Sequence, residues 1–245
     1  LISGHTARVQ VGWATGENQI LGTADADANL SITRYSADNG PPNLFFGKSR
    51  GSLGANTIVA DGDPLGRITF CGSDGVDMRS AAAWIEAECD GEFEADNVSG
   101  RIILATTPDS SGVQDPVERM RIDSSGRVGI ANAAPSTYSD LAANLVIGDT
   151  GDASSGITLA TSTTGYSQLA FTGTAATAYQ ARIYYNQNTD DMGVEAEDDI
   201  AFFTDSSERL RIKDDGNIGI KCTDPTGTGS VQAHDLVIGN TGLGS

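Results

Sequence analysis

The 245 residues carry 33 acidic against 15 basic side chains, a formal charge of −18. That balance argues against nucleic acid as a partner, because phosphate binding depends on Lys and Arg, and against an anionic membrane surface for the same reason. Hydrophobic residues are 38% and aromatic residues 6% of the chain, while Gly fills 30 positions, so large side chains are too few for a thick private core and short strands with tight turns are expected.

Taken in chain order, residues 1–40 read as the continuation of an upstream region, since the chain opens at Leu1 inside ordinary repeat-like sequence. A first β unit is expected over 41–131, with strands at 66–71, 81–89 and 101–106 and Asp-Gly turns at Asp74-Gly75 and Asp90-Gly91. It ends in Glu118–Ile130, where Met120 and Ile122 alternate with Arg119 and Arg121. Such period-two patterning predicts a half-buried strand. Asp123-Ser124-Ser125-Gly126 then supplies a turn, with Gly126 where a short hairpin needs positive φ.

A linker is expected over 132–144 and a second unit over 145–222, with strands at 157–161, 168–172, 181–185 and 199–204. The second unit closes on Glu208–Ile220, a copy of the first hairpin 90 residues later, with Gly216 in the place of Gly126. Leu145-Val146-Ile147-Gly148 likewise returns as Leu236-Val237-Ile238-Gly239, so 223–245 reads as a linker and the start of a third unit. Self-similarity at a fixed period points to stacked modules. Convincing helices are absent, and no apolar run approaches the roughly 18 residues of a membrane helix.

The fold class that follows is all-β: tandem β-hairpin, small β-sandwich or β-prism units with short strands and tight turns. A lone hairpin leaves one sheet face uncovered. With so few apolar residues per unit, the economical cover is two further copies of the chain around a shared axis, an elongated homotrimer that also hides strand edges. The charged hairpin faces are then expected to form Arg–carboxylate pairs between chains. Arg119, Arg121, Arg209 and Arg211 would lie opposite Asp123, Glu118, Glu208 or their neighbours.

No constellation stands out as catalytic. Glu86 and Glu88 share a strand face at roughly 7 Å, a separation that fits an inverting glycosidase, yet alternating Glu on a solvated face gives the same pattern. Trp84 has the parity of Glu86, which places two contradictory residues on one face. Trp13, Trp84, Tyr184 and Tyr185 are the aromatic side chains available to carbohydrate. Asp25 and Asp27, Asp61 and Asp63, and Asp190 and Asp191 bring oxygen ligands together for Ca2+, but the EF-hand pattern is missing and turn capping accounts for them. Cys71, Cys89 and Cys222 lack CxxC spacing, and with only His5 and His234 beside them a Cys/His metal site is not expected. Cys71 and Cys89 read as buried free thiols, with pairing between them open in an oxidising setting.

The repeated block resembles the shaft and distal regions of bacteriophage tail fibres, which carry E-R-M-R-I-D-x-x-G-x-V-G-I-G again and again. Glu118 to Ile130 follows that phrase closely, departing at Ala131, and Glu208 to Ile220 follows it with Leu210, Lys213 and Lys221 as departures. A longer series is similar to a module of fibre-like genes in marine and cyanobacterial phages. It runs from Asn43 to Gly51, through Gly62 to Phe70, Asp74-Gly75, Ile85-Glu86-Ala87 and Asp90-Gly91, to Gly100-Arg101-Ile102-Ile103 and Thr106-Thr107-Pro108.

The resemblance implies an extracellular virion component that is homotrimeric and elongated. Its implied partners are other tail or baseplate proteins and a host glycan or lipopolysaccharide. No Ser/Lys pair of the terminal chaperone of such fibres is found. The rival expectations are a tailspike-type polysaccharide depolymerase and a secreted bacterial carbohydrate-binding adhesin.

Overall fold

The structure, a computed structural model, describes residues 8–24, 27–109, 115–138, 144–152, 154–172 and 180–221, together with the backbone of two short strands at 2–3 and 236–238. The side chain of residue 92 lies outside this description. The chain divides into two compact units, Leu1–Gly156 and Ile157–Ser245. Strands dominate both, and the described residues include no α-helix.

In the first unit β1 (Ile2–Ser3) pairs in parallel with β2 (Gln19–Ile20). The main sheet has six strands in sequence order: β3 (Pro64–Gly72), β4 (Ser80–Glu94), β5 (Asn97–Thr106), β6 (Val117–Ile122), β7 (Val128–Ile130) and β8 (Leu145–Ile147). All neighbours are antiparallel except β7 and β8. In the second unit β9 (Tyr166–Phe171), β10 (Ala181–Asn186) and β11 (Asp191–Ala196) form one antiparallel sheet. A second sheet of that unit contains β12 (Ile200–Thr204), β13 (Ser207–Ile212), β14 (Ile218–Ile220) and β15 (Leu236–Ile238).

Several expectations change. The Leu-Val-Ile segment closes the first sheet instead of opening the next unit, because the chain after β7 loops back and lays β8 beside it, with Val128 N–H donating to Asn144 C=O at 2.9 Å. Asn132 fixes that loop from its buried position, donating Nδ2–H to Gly148 C=O at 2.8 Å and accepting from Ala134 N–H at 3.0 Å. Residues 157–161 form no strand, and their apolar side chains Ile157 and Leu159 are exposed. Asp90-Gly91 is no turn. It sits inside the 15-residue β4, where the pairing with β5 shifts register, and the chain reverses at Ala95-Asp96 with Asp96 at φ +65.

Strand alternation gives each sheet two chemically different faces. On one face of the first unit a single apolar residue from every strand lines up: Ile68, Ile85, Leu104, Met120, Ile130 and Ile147. A second row beside it holds Ala87, Ile102, Ile122, Val128 and Leu145. The four-stranded sheet repeats both, as Ile200, Ile212 and Ile218, and as Phe202, Leu210 and Ile220. The three-stranded sheet has its own row of Leu169, Ile183 and Val194.

The opposite face of the six-stranded sheet holds Arg67, Trp84, Glu86, Ile103, Arg121, Gly129 and Val146. Gly129 lies beneath the 131–138 loop, and a Cβ there would stand 2.3 Å from the Asn132 carbonyl oxygen. Gly129→Ala is therefore expected to lose about 1–3 kcal/mol, read as a lower melting temperature. An unchanged melt would show that the loop gives way freely.

Candidate functional site

The repeated block is built around a β-bulge. In the first copy Leu104 pairs with Met120 and Ala105 with Glu118, so Arg119 is the extra residue. In the second, Phe202 pairs with Leu210 and Phe203 with Glu208, and Arg209 is the extra one. Residues three apart on a regular strand point to opposite faces, but one extra residue returns them to the same face. Glu118 and Arg121 thereby meet, with Arg121 Nε donating to Glu118 Oε1 at 2.6 Å and Nη2 to Oε2 at 2.7 Å. Arg211 grips Glu208 in the same way, at 3.0 and 2.5 Å.

Each bulged arginine turns to a threonine on the preceding strand. Arg119 Nε donates to Thr106 Oγ1 at 3.0 Å and Arg209 Nε to Thr204 Oγ1 at 2.6 Å. Within the chain, Arg121 is held by Glu118, three residues upstream, and Arg211 by Glu208 and Asp199.

The turns are closed by acids as well. Asp123 Oδ1 accepts from Ser125 and Arg127 N–H, both at 2.9 Å, with Gly126 at φ +79. In the second copy Lys213 replaces that Asp, Asp215 Oδ1 accepts from Asn217 N–H at 3.0 Å, and Gly216 stands at φ +87. A second acid reaches each turn from outside. Asp90 accepts from Ser124 N–H at 2.7 Å and from Arg101 Nη1 at 2.9 Å. Asp199 accepts from Asp214 N–H at 3.1 Å and from Arg211 Nη1 at 2.5 Å.

These bonds favour the ionised form. Burial by itself would raise the Asp90 carboxyl, but hydrogen bonds from Ser124 and Arg101 outweigh it and hold Asp90 below its ordinary value. The Arg211 fork lowers both Asp199 and Glu208. Arg50, which donates Nε and Nη2 to Asp63 at 2.6 and 2.9 Å, holds Asp63 well below the usual carboxylate range.

The aromatic and acidic candidates separate in space. Trp84 and Glu86 do share a face, and Arg67 reconciles them within one chain: its guanidinium stacks 4.0 Å over the Trp84 ring while Nη2 donates to both Glu86 oxygens at 2.7 Å. Glu88 is taken by Arg101 at 2.9 Å. Each member of the two-carboxylate pair is therefore engaged by its own arginine.

The Trp13 ring centroid lies 5.5 Å from the Arg67 guanidinium carbon. Tyr184 and Tyr185 point to opposite faces of β10. Tyr184 lies beneath Arg182, 4.2 Å away and edge-on to Tyr166, whereas Tyr185 O–H donates to Asp190 at 2.8 Å.

Of the acid pairs considered for calcium, Asp27 caps Thr23 and Ala24 N–H, Asp61 accepts from Gly91 N–H, and Asp63 accepts from Arg50 and Ala60. Among the described residues no three His, Cys, Asp or Glu side chains converge on one point. Cys71 and Cys89 are free thiols, Cys89 fully buried. Residues Asp25, His5, His234 and Cys222 lie outside the described residues.

The chain is similar to bacteriophage tail-fibre domains of known structure. One is the carboxy-terminal domain of the bacteriophage T5 L-shaped tail fibre, at 12% identity over 80% of this chain and 92% of that one, with a TM-score of 0.45. Another is that domain with its intra-molecular chaperone domain, at 14% identity over 89% of this chain and 69% of that one, with a TM-score of 0.46. No family model and no curated protein matches the chain.

The arginines that organise this face, Arg67 and Arg101, escape sequence reasoning because their carboxylates lie 19 and 13 residues away along the chain. The pairing register alone brings them together.

Two tests follow. Glu118→Ala strands the Arg121 guanidinium and should lose about 1–3 kcal/mol, read by thermal or urea unfolding. For pH, Asp63, Asp90 and Asp199 have folded pKa values below their ordinary 3.8. Their stabilisation is complete above that value and is lost as pH falls through the folded pKa. The melting temperature should hold steady from pH 7 to about 5 and decline below about pH 4, and a decline starting near pH 6 would contradict the assignment.

Proposed function

We propose that this chain is a structural segment of a phage tail fibre, carried on the virion outside the host cell, in which three copies supply the core that one copy lacks. The observation that carries the reading is the uncovered apolar face. Phe70 is 53% exposed and Leu145 52%, at two ends of a six-stranded face made almost wholly of Ile, Leu, Val, Met and Ala. At about 25 cal/mol per Å², such faces favour association strongly.

The E-R-x-R-I block supports the same reading, since it presents those apolar rows identically in both units and is the phrase that resembles tail-fibre shafts. Three-fold closure is favoured over a two-fold pair because a ring also covers the open edges of β3 and β8. The role is mechanical: to extend from tail or baseplate proteins and support adsorption to a host glycan or lipopolysaccharide. No catalytic step is assigned, since Glu86 and Glu88, the pair a depolymerase reading would use, are each bound to an arginine.

Native mass decides it. The assembled protein should weigh three times 25.3 kDa. Ile85→Lys, on the exposed central row, should reduce it to single chains while leaving the hairpin ion pairs intact. A wild-type monomer with a cooperative melt would sink the proposal.

A further inference from the structure

We propose that residues 29–34 of one chain add a seventh strand to the main sheet of a second copy, docking in parallel along the open edge of β8. The inference rests on the trimeric reading above and names what crosses between the chains.

The donor is a strand without a sheet. Residues 29–36 lie outside every β-ladder, and among the described residues no hydrogen bond reaches their backbone. That backbone is nonetheless extended, since the Ser31 and Thr33 hydroxyls stand 3.0 Å apart, as two residues on one side of a strand do. Leu30 and Ile32 alternate with Ser31 and Thr33, and both apolar side chains are exposed. Unmet N–H and C=O groups in a segment with strand alternation are a template for pairing.

The acceptor is β8, the last strand of its sheet. Asn144 C=O and Gly148 N–H both bond to β7, so the N–H and C=O groups of Leu145 and Ile147 point outward. A groove of about 490 Å³, lined by Tyr138, Leu145, Ile147 and Asp149 among others, borders this strand. Leu145 and Ile147 end the two apolar rows. A parallel strand with Leu30 opposite Leu145 and Ile32 opposite Ile147 lengthens both rows by one residue and brings Arg34 to the Asp149 end of β8. Charge selects this direction. Arg34 is the only charged residue from 28 to 37 in a chain of formal charge −18, and the antiparallel alternative brings Ala28 to Asp149 instead. Arg34 gives up little in moving, because its pair with Asp38 is exposed.

The anchor of the segment decides whose edge it reaches. Downstream, Phe46 packs on Gly66 of β3, where a Cβ would stand 2.5 Å from the Phe46 side chain, and Arg50 forks onto Asp63 beside that strand. β3 and β8 are the two ends of the six-stranded sheet, about 24 Å apart at about 4.8 Å per strand. Ring closure sets β3 of one copy beside β8 of the next, and a segment anchored at β3 meets the neighbour's edge before its own.

Two measurements on the full chain test this. In the unmodified protein, the Ser31 and Thr33 amides, which this register aims at the Leu145 and Ile147 carbonyls, should exchange at least about tenfold below the unstructured rate. Leu30 and Ile32, on the new outer edge, should stay near that rate. In an Ile32→Cys, Ile147→Cys variant the two Cα atoms stand about 4.8 Å apart, within disulfide reach. Oxidation should give covalent dimers and trimers on a non-reducing gel, with the linkage between positions 32 and 147 identified by peptide mass spectrometry. A trimer in which Ser31 and Thr33 exchange at the unstructured rate, or in which the disulfide closes within one chain, would overturn this inference alone. A native mass of one chain would overturn it together with the trimeric reading. The exchange measurement needs no variant, so a folding failure of the double variant leaves the question decidable.

Discussion

One extra residue in each repeated strand determines how this protein is put together. Without the bulge at Arg119, Glu118 would share the apolar face with Met120 and Ile122, and a carboxylate would sit in the middle of the row that needs to be dry. The bulge moves it to the other face, where Arg121 closes on it with two hydrogen bonds. The same register shift at Arg209 does the same for Glu208. Register is the quantity at stake, because a slip of one residue turns every side chain of a strand to the wrong side. A partly buried fork of this kind adds modest stability, but it ties the slip to an unpaired charge.

From that constraint the two faces acquire different jobs. On the polar face arginines are paired inside the chain: Arg67 to Glu86, Arg101 to Glu88 and Asp90, Arg121 to Glu118. It is a finished surface, with charges matched and turns capped. The apolar face is largely open to solvent, with Ile68, Phe70, Ile85, Ile102, Ile122, Ile130 and Leu145 all exposed. A sheet with one completed face and one open face is what the proposed assembly requires.

How much of this could be read in the sequence depends on the range of the interaction. The hairpins, their glycine turns and the apolar parity of Met120, Ile122, Val128 and Ile130 are local and were visible as alternation. The bulge is equally local yet hidden, because E-R-M-R-I alternates cleanly whether or not Arg119 is skipped. β8 and β15 are three residues long, too short for any periodicity, and they join their sheets in parallel, which no spacing announces. The Arg67, Trp84 and Glu86 cluster spans β3 and β4, so the conflict between Trp84 and Glu86 is stated by the sequence while its solution is not.

The repeat itself is less uniform than its 90-residue spacing suggests, and the reason is geometric. The strand on which each hairpin leans aligns at 98 residues, Ile102 with Ile200 and Thr106 with Thr204. The difference lies in the connection. In the second unit β12 passes to β13 through Asp205-Ser206 alone, both at positive φ, the backbone of a two-residue hairpin turn. In the first unit ten residues intervene between β5 and β6. Both units keep the bulge, the threonine beneath it and the apolar rows, while the route between the strands differs. A structure defined by what each face must meet tolerates such changes of path, because the pairing register at Arg119 and Arg209 is restored on arrival.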